Sequence, residues 1–320
     1  MFGKLLPLFM PHKNKIDGRP IKSEYALFAG IASLVTVSVL ILMKAVAYWY
    51  SGSTSVMASL IDSFVDAGVS VMTVFAIQYS LKPADSEHRY GHGKIEGVMA
   101  LLQAAFIMSA AIFLIFESFI RFIRPIEVVH HHLVYVVLAI SIMLSLTLVM
   151  IQRYTLKMAP SLAVEADQAH YLNDIVVNLG VMAVLVALSQ GAPLWVDPAF
   201  SIVLALYISY TVKDIAKRGL DMLLDRELPD EIRKKITDKI VSHKEVMGMH
   251  DLRTHKSGMK IFISFDLEVD SSLSLLDAHN IARDIEVDIV ASFPNAEVLI
   301  HIDPHDDTQD TRHTVSGVHR

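Results

Sequence analysis

Asp62 and Asp66 stand four residues apart inside a stretch apolar enough to cross a bilayer, and His170 and Asp174 stand at the same spacing inside another. Residues four apart share one helix face. Two such pairs on facing helices could present three carboxylates and one imidazole to a common point. That hard-to-borderline donor set suits Zn²⁺ or a similar divalent ion in tetrahedral geometry. A charged carboxylate left unpaired at bilayer depth costs about 2.5–3.5 kcal/mol, so a bound dication, protons or interhelical hydrogen bonds must offset three of them. Metal and protons compete for the same atoms, and that competition is a mechanism for antiport. The structural alternative is that these groups only link helices.

A second group lies in PADSEHRYGHGK, where Asp85, His88 and His92 fall within eight residues. A loop metal site or a solvated polar loop both fit this string. The GHGK portion is not a phosphate-binding loop, because the glycine spacing is wrong and Ile95 stands where Ser or Thr would hold magnesium; no nucleotide is expected. A third, scattered group is His250, Asp266, His279, His301 and Asp303. Strand alternation would put His301 and Asp303 on one face, from which Asp303 could bridge two ions. Taken singly, each of these reads as a solvated surface residue. The run His130, His131, His132 reads as a loop feature, and His305, His313 and His319 as part of a polar tail.

The elements that must position these groups follow from composition. A chain of 320 residues that is 53% hydrophobic, with mean hydropathy +0.44, is a membrane protein. The absence of cysteine rules out disulfides and thiolate ligands, so any metal site must use His, Asp and Glu. A span needs about 20 mostly apolar residues, and the segments 25–49, 55–81, 95–120, 133–151, 162–189 and 197–217 qualify. An even number of spans leaves both termini on one side. Lys4, Lys13, Lys15, Arg19, Lys22, Lys82, Arg89, Lys94, Arg153, Lys157, Lys213, Lys217 and Arg218 fall on that side, against Arg121 and Arg124 on the other. The positive-inside rule makes it cytoplasmic.

Most of the acidic residues behind the net charge of −6 follow Asp221, where the pattern becomes that of a small soluble domain. Helical spacing at Ile232, Ile236 and Ile240, strands over 250–254 and 260–269 about a Ser257-Gly258 turn, a helix over 274–293 and a strand over 297–302 predict an α-β-β-α-β order. The expected fold class is an α-helical membrane protein of six transmembrane helices followed by a small α+β domain. The expected divisions are 1–24 as a cytosolic lead-in, 25–220 as the membrane domain, 221–304 as the cytoplasmic domain and 305–320 as a disordered tail.

On SLIDSFVDAG (59–68), YSLKPADSEHRYGHGKIE (79–96), AHYLNDIVVN (169–178), LLDRELPDE (223–231), HDLRT (250–254) and VLIHIDP (298–304), residues 24–304 resemble the cation diffusion facilitator family, in its bacterial zinc and ferrous-iron efflux branch. The resemblance implies a metallochaperone-like cytoplasmic domain, homodimerisation and proton-coupled export of divalent metals. It implies a transport site at Asp62, Asp66, His170 and Asp174, a loop site at Asp85, His88 and His92, and a binuclear site at His250, His279, His301 and Asp303. It also implies a charge pair between Lys94 and Asp225 near the cytosolic surface. Asp266 departs from the pattern, because close relatives carry His there; a carboxylate still ligates zinc but makes the site harder. The 152–161 loop lacks the His-rich insertion of eukaryotic zinc members, which favours a bacterial inner membrane.

The function expected is therefore a homodimeric, proton-coupled secondary antiporter exporting Zn²⁺, with Cd²⁺ and Fe²⁺ as further candidates, and not an enzyme. Zn²⁺ would be both cargo and structural ion. The expected partners are divalent ions, protons, a second copy and the lipid bilayer, not nucleic acid. The alternative is a divalent cation channel without proton coupling, which strong ligands disfavour because conduction needs weak binding. A membrane metalloenzyme and a metal sensor are the remaining rivals; no HExxH string supports the former.

Overall fold

The computed structural model describes residues 15–16, 19–20, 22–51, 54–124 and 132–305. Most of the expected lead-in, the chain beyond His305, and His130 and His131 lie outside the described residues. Two compact units divide between Leu220 and Asp221.

Among the described residues, the first unit holds six helices: α1 (Lys22–Ser51), α2 (Thr54–Ser80), α3 (Ile95–Ile123), α4 (His132–Met158), α5 (Leu162–Ser189) and α6 (Val196–Leu223). Each contains a stretch long and apolar enough to cross a membrane. Many large apolar side chains point outward, Leu42, Phe113, Phe116 and Val203 among them, while small residues mark several close contacts between helices, beside buried Ile77, Met99 and Leu148. Ala26 and Ala29 of α1, Ala76 of α2 and Ala163 of α5 are buried together. In lipid there is no hydrophobic gain from pairing helices, so close backbone approach and hydrogen bonds hold them instead. Gly219 of α6 shows the closeness: a Cβ there would stand 2.9 Å from the Gly97 carbonyl oxygen of α3.

Two helices run six or seven residues past the ends that hydropathy suggests. The fourth span is expected to stop at 151 and be followed by a ten-residue loop, yet α4 continues to Met158, and the sixth continues to Leu223. Hydropathy marks where lipid ends, not where the backbone stops coiling. Nothing in QRYTLKM breaks a helix, and the stop comes at Pro160. Arg153 and Lys157 therefore sit on the last turns of a helix and not in a loop.

The second unit runs α7 (Asp230–Val241), β1 (Gly248–Ser257), β2 (Lys260–Val269), α8 (Leu275–Ser292) and β3 (Ala296–Pro304). The central strand β2 pairs antiparallel with β1 and parallel with β3. Gly258, at φ 59, supplies the left-handed residue of the tight β1–β2 turn, and Ser274 caps α8 by accepting from the Asp277 N–H at 3.2 Å. Alternation sorts β2: Ile263, Phe265, Leu267 and Val269 are buried with Ile236 and Ile240 of α7 and Ile285 and Ile289 of α8. Ser264, Asp266 and Glu268 consequently occupy the other face.

Candidate metal centres

Within the membrane unit, one ligand atom each from Asp66, His170 and Asp174 lies within 4.8 Å of the others. His170 Nε2 is 3.0 Å from Asp66 Oδ1 and 3.5 Å from Asp174 Oδ2. Asp62 lies outside this group, with its side chain exposed. Asp62 stands one turn, about 6 Å, from Asp66 along α2, and its carboxylate does not join the other three within 4.8 Å.

A polar network turns α5 so that His170 and Asp174 face α2. Tyr171 is buried, with its hydroxyl 3.1 Å from Ser70 Oγ and 3.3 Å from Ser33 Oγ. Asp167, fully buried, accepts from Gln152 Nε2 at 2.7 Å and from Thr73 Oγ1 at 3.3 Å, and Gln103 Nε2 donates to Thr73 Oγ1 at 2.7 Å. Glu96 of α3 holds the start of α5: its Oε2 accepts from Ser161 Oγ at 2.8 Å and the Leu162 N–H at 2.7 Å, and its Oε1 from Ser80 Oγ at 3.0 Å. A carboxylate against the unpaired N–H groups of a helix start is favourable. Lys44 of α1 is buried and donates to Ser63 Oγ at 2.7 Å and to the Ser59 carbonyl at 3.1 Å, both on the helix that carries Asp62 and Asp66. Sequence reasoning missed Glu96, Asp167 and Lys44. Their signal was available, because an ionisable residue inside an apolar span calls for a partner.

The loop between α2 and α3 gathers Asp85, His88 and His92. Asp85 Oδ1 is 3.3 Å from His88 Nδ1 and Oδ2 is 3.3 Å from His92 Nε2. Gly91, at φ 81, makes the turn that brings His92 back beneath Asp85. The His88 N–H, 2.6 Å from Oδ1, holds the Asp85 carboxyl below the usual carboxylate range. Lys94 follows as the N-cap residue of α3.

In the second unit the sheet register aligns His250 with Asp266, and Asp266 with His301. His250, Asp266 and Asp303 converge: His250 Nδ1 is 3.5 Å from Asp266 Oδ2 and Nε2 is 3.5 Å from Asp303 Oδ2. His301 joins through Asp303, with Nε2 3.1 Å from Oδ1, so the two Asp303 oxygens address different imidazoles. Burial pushes the Asp266 carboxyl up from its ordinary value. His279 lies apart from this group, exposed on α8. Asp225, at φ 54, has Oδ1 3.7 Å from His255 Nε2. His305, assigned to the tail by its polar surroundings, instead prolongs β3: its N–H donates to the Val269 carbonyl at 2.9 Å.

Six apolar helices holding a His/Asp cluster, followed by a ligand-bearing α+β unit, define a multi-pass membrane protein that handles cations. Residues 30–224 match the family model described as the cation efflux transmembrane domain, and residues 228–305 match that of the cation efflux protein cytoplasmic domain. The chain is 43% identical to the cation-efflux pump FieF of Shewanella oneidensis over 86% of its own length and 93% of that protein. It is 38% identical to FieF of Escherichia coli K12, over 86% of this chain and 92% of that one. A solved metal-bound C-terminal domain of the CzcD transporter from Thermotoga maritima is 27% identical, with TM-score 0.23, covering 25% of this chain and all of that one. The chain belongs to the cation efflux family, the cation diffusion facilitators.

Proposed function

We propose that this protein is a homodimeric antiporter of a bacterial inner membrane, with both termini cytoplasmic, that exports divalent metal in exchange for protons. Zn²⁺ is the first candidate cargo, and Cd²⁺ and Fe²⁺ are the others. Asp66, His170 and Asp174 hold the ion, and Asp62 completes the set when the α2 and α5 faces shift during alternating access. Asp85, His88 and His92 form an accessory cytosolic site. His250, Asp266, His279, His301 and Asp303 hold structural metal in a cytoplasmic domain spanning 221–304 that joins two copies, and Lys94 and Asp225 form a charge pair near the cytosolic surface.

The convergence of one imidazole and two carboxylates between apolar helices supports this reading most directly. Such a cluster in a low-dielectric setting must exchange charge for charge, so an entering dication displaces protons. In proteoliposomes, Asp62→Ala and Asp174→Ala should each abolish metal-stimulated proton flux. Wild-type flux in both variants would defeat the mechanism, and a metal current indifferent to a pH gradient would establish a channel in its place.

A further inference from the structure

Glu268 and His305 lie beside the cytoplasmic cluster and belong to no ligand set considered so far. Alternation along β3 puts His305 on the face of His301 and Asp303, and the register sets Glu268 opposite Asp303 on one side and Gly248 on the other. The two Glu268 oxygens are split between imidazoles, with Oε1 3.6 Å from His250 Nε2 and Oε2 2.8 Å from His305 Nδ1. Glycine at 248 makes room for this, since a Cβ there would stand 2.5 Å from Glu268 Oε2. His301, Asp303, His250, Glu268 and His305 thus alternate imidazole and carboxylate across the sheet.

We propose that Glu268 and His305 complete a second divalent-metal position in this domain, with His250 Nε2 and Asp303 Oδ2 as the other donors. Zn²⁺ bound by nitrogen and oxygen at about 2.0–2.1 Å in a tetrahedron sets its donors about 3.4 Å apart. His250 Nε2 stands 3.5 Å from Asp303 Oδ2 and 3.6 Å from Glu268 Oε1, close to that spacing, and the 2.8 Å contact of His305 Nδ1 with Glu268 Oε2 opens to it when an ion enters. Asp303 then bridges, giving Oδ2 to this ion and Oδ1 to one on the His301 and Asp266 side. The added nitrogen of His305 offsets the hardness that Asp266 brings to the cluster. Nitrogen from His250 and His305 makes the pair of carboxylates selective for Zn²⁺ over Mg²⁺ or Ca²⁺, which prefer oxygen alone.

This inference rests on the reading of the domain as metal-binding, and one experiment separates the two. Purified full-length protein in detergent is titrated with Zn²⁺ against a chromophoric chelator, and bound metal per protomer is counted. Glu268→Gln combined with His305→Ala should lose one equivalent relative to wild type. His305→Gln alone, at an exposed strand end, should weaken that equivalent at least about tenfold, and Gly248→Ala, which displaces the Glu268 carboxylate, should do the same. Wild-type stoichiometry and affinity in the double variant overturn the second position alone. Wild-type content in His250→Ala and Asp303→Ala as well overturns both the position and the reading beneath it.

Discussion

Asp66, His170 and Asp174 come from two helices and have side chains 10%, 14% and 27% exposed, whereas His250, Asp266 and Asp303 come from three adjacent strands, with the His250 side chain 43% exposed. The composition is the same, one histidine and two aspartates, but the surroundings differ. In the membrane unit each side chain of the cluster is held by a helix whose rotation is set by buried hydrogen bonds. On the sheet, the half-exposed edge and neighbouring carboxylates and imidazoles are at hand, so a donor can change type while the cluster persists. On the proposed roles, the membrane cluster should therefore tolerate less substitution than the sheet cluster made of the same groups.

The largest contrast should appear in flux. His170→Ala is expected to cut metal-stimulated proton flux in proteoliposomes by at least about 100-fold, the upper end of what even outer-shell changes cost a metal site. His250→Ala should lower it only a few-fold, through weaker assembly. Equal losses would show that the two clusters act as one device.

Next comes stability. Glu96→Ala leaves two buried donors and the half-buried Ser80 hydroxyl without an acceptor and should cost about 3 kcal/mol, whereas Glu227→Ala, whose half-exposed carboxylate meets the Thr254 N–H at 3.0 Å, the Thr254 hydroxyl and the Arg233 guanidinium at 3.5 Å, should cost about 1 kcal/mol. Thermal unfolding of the two variants in detergent measures the difference. Similar losses would mean that bilayer burial adds nothing to the Glu96 clamp.

A smaller effect is expected from changing donor type. Asp266→His should tighten zinc in the cytoplasmic domain about tenfold, because imidazole suits zinc better than carboxylate, while Asp66→His should depress flux. The chelator titration reads the first and flux the second; tighter transport by Asp66→His would erase the distinction.

The smallest effects concern pH. Burial raises the folded value of Asp266, so in the metal-free domain its charge costs stability above that value and the cost vanishes as pH falls through it. Asp266→Asn should then stabilise the metal-free domain slightly at neutral pH. Asp270 has the opposite sign: Ser272 Oγ and N–H donate to it at 2.7 and 2.8 Å and hold its carboxyl low. Its contribution is present above the unfolded value of about 3.9 and is lost as pH falls through the folded one. Asp270→Asn should lower stability slightly at pH 7 and leave the acid end unchanged, as chemical denaturation at several pH values would reveal.

Much of this molecule was legible as pattern. Six apolar runs, an α-β-β-α-β order and the pairing of carboxylate and imidazole residues at helical spacing are local properties, because hydropathy and periodicity depend on neighbours in sequence. Helix ends were less legible, as α4 shows: its polar last turns carry no apolar signal, yet nothing interrupts their hydrogen bonds. His305 was misplaced for a similar reason, since a lone histidine after Pro304 carries no strand pattern until the Val269 carbonyl pairs with its N–H.

By itself, the sequence determined that this chain crosses a membrane six times, that its ligands must be His, Asp and Glu, and which residues could share a face. Only the tertiary structure decided that Asp66 and not Asp62 meets His170, that Asp167, Glu96 and Lys44 brace the helices around that meeting, and that Glu268 and His305 extend the row beyond His250. Periodicity orders side chains along one element to within a turn. Ligation is decided over a few ångströms between elements, where the length of a side chain, the rotation of a helix and the register of a strand settle which atoms touch.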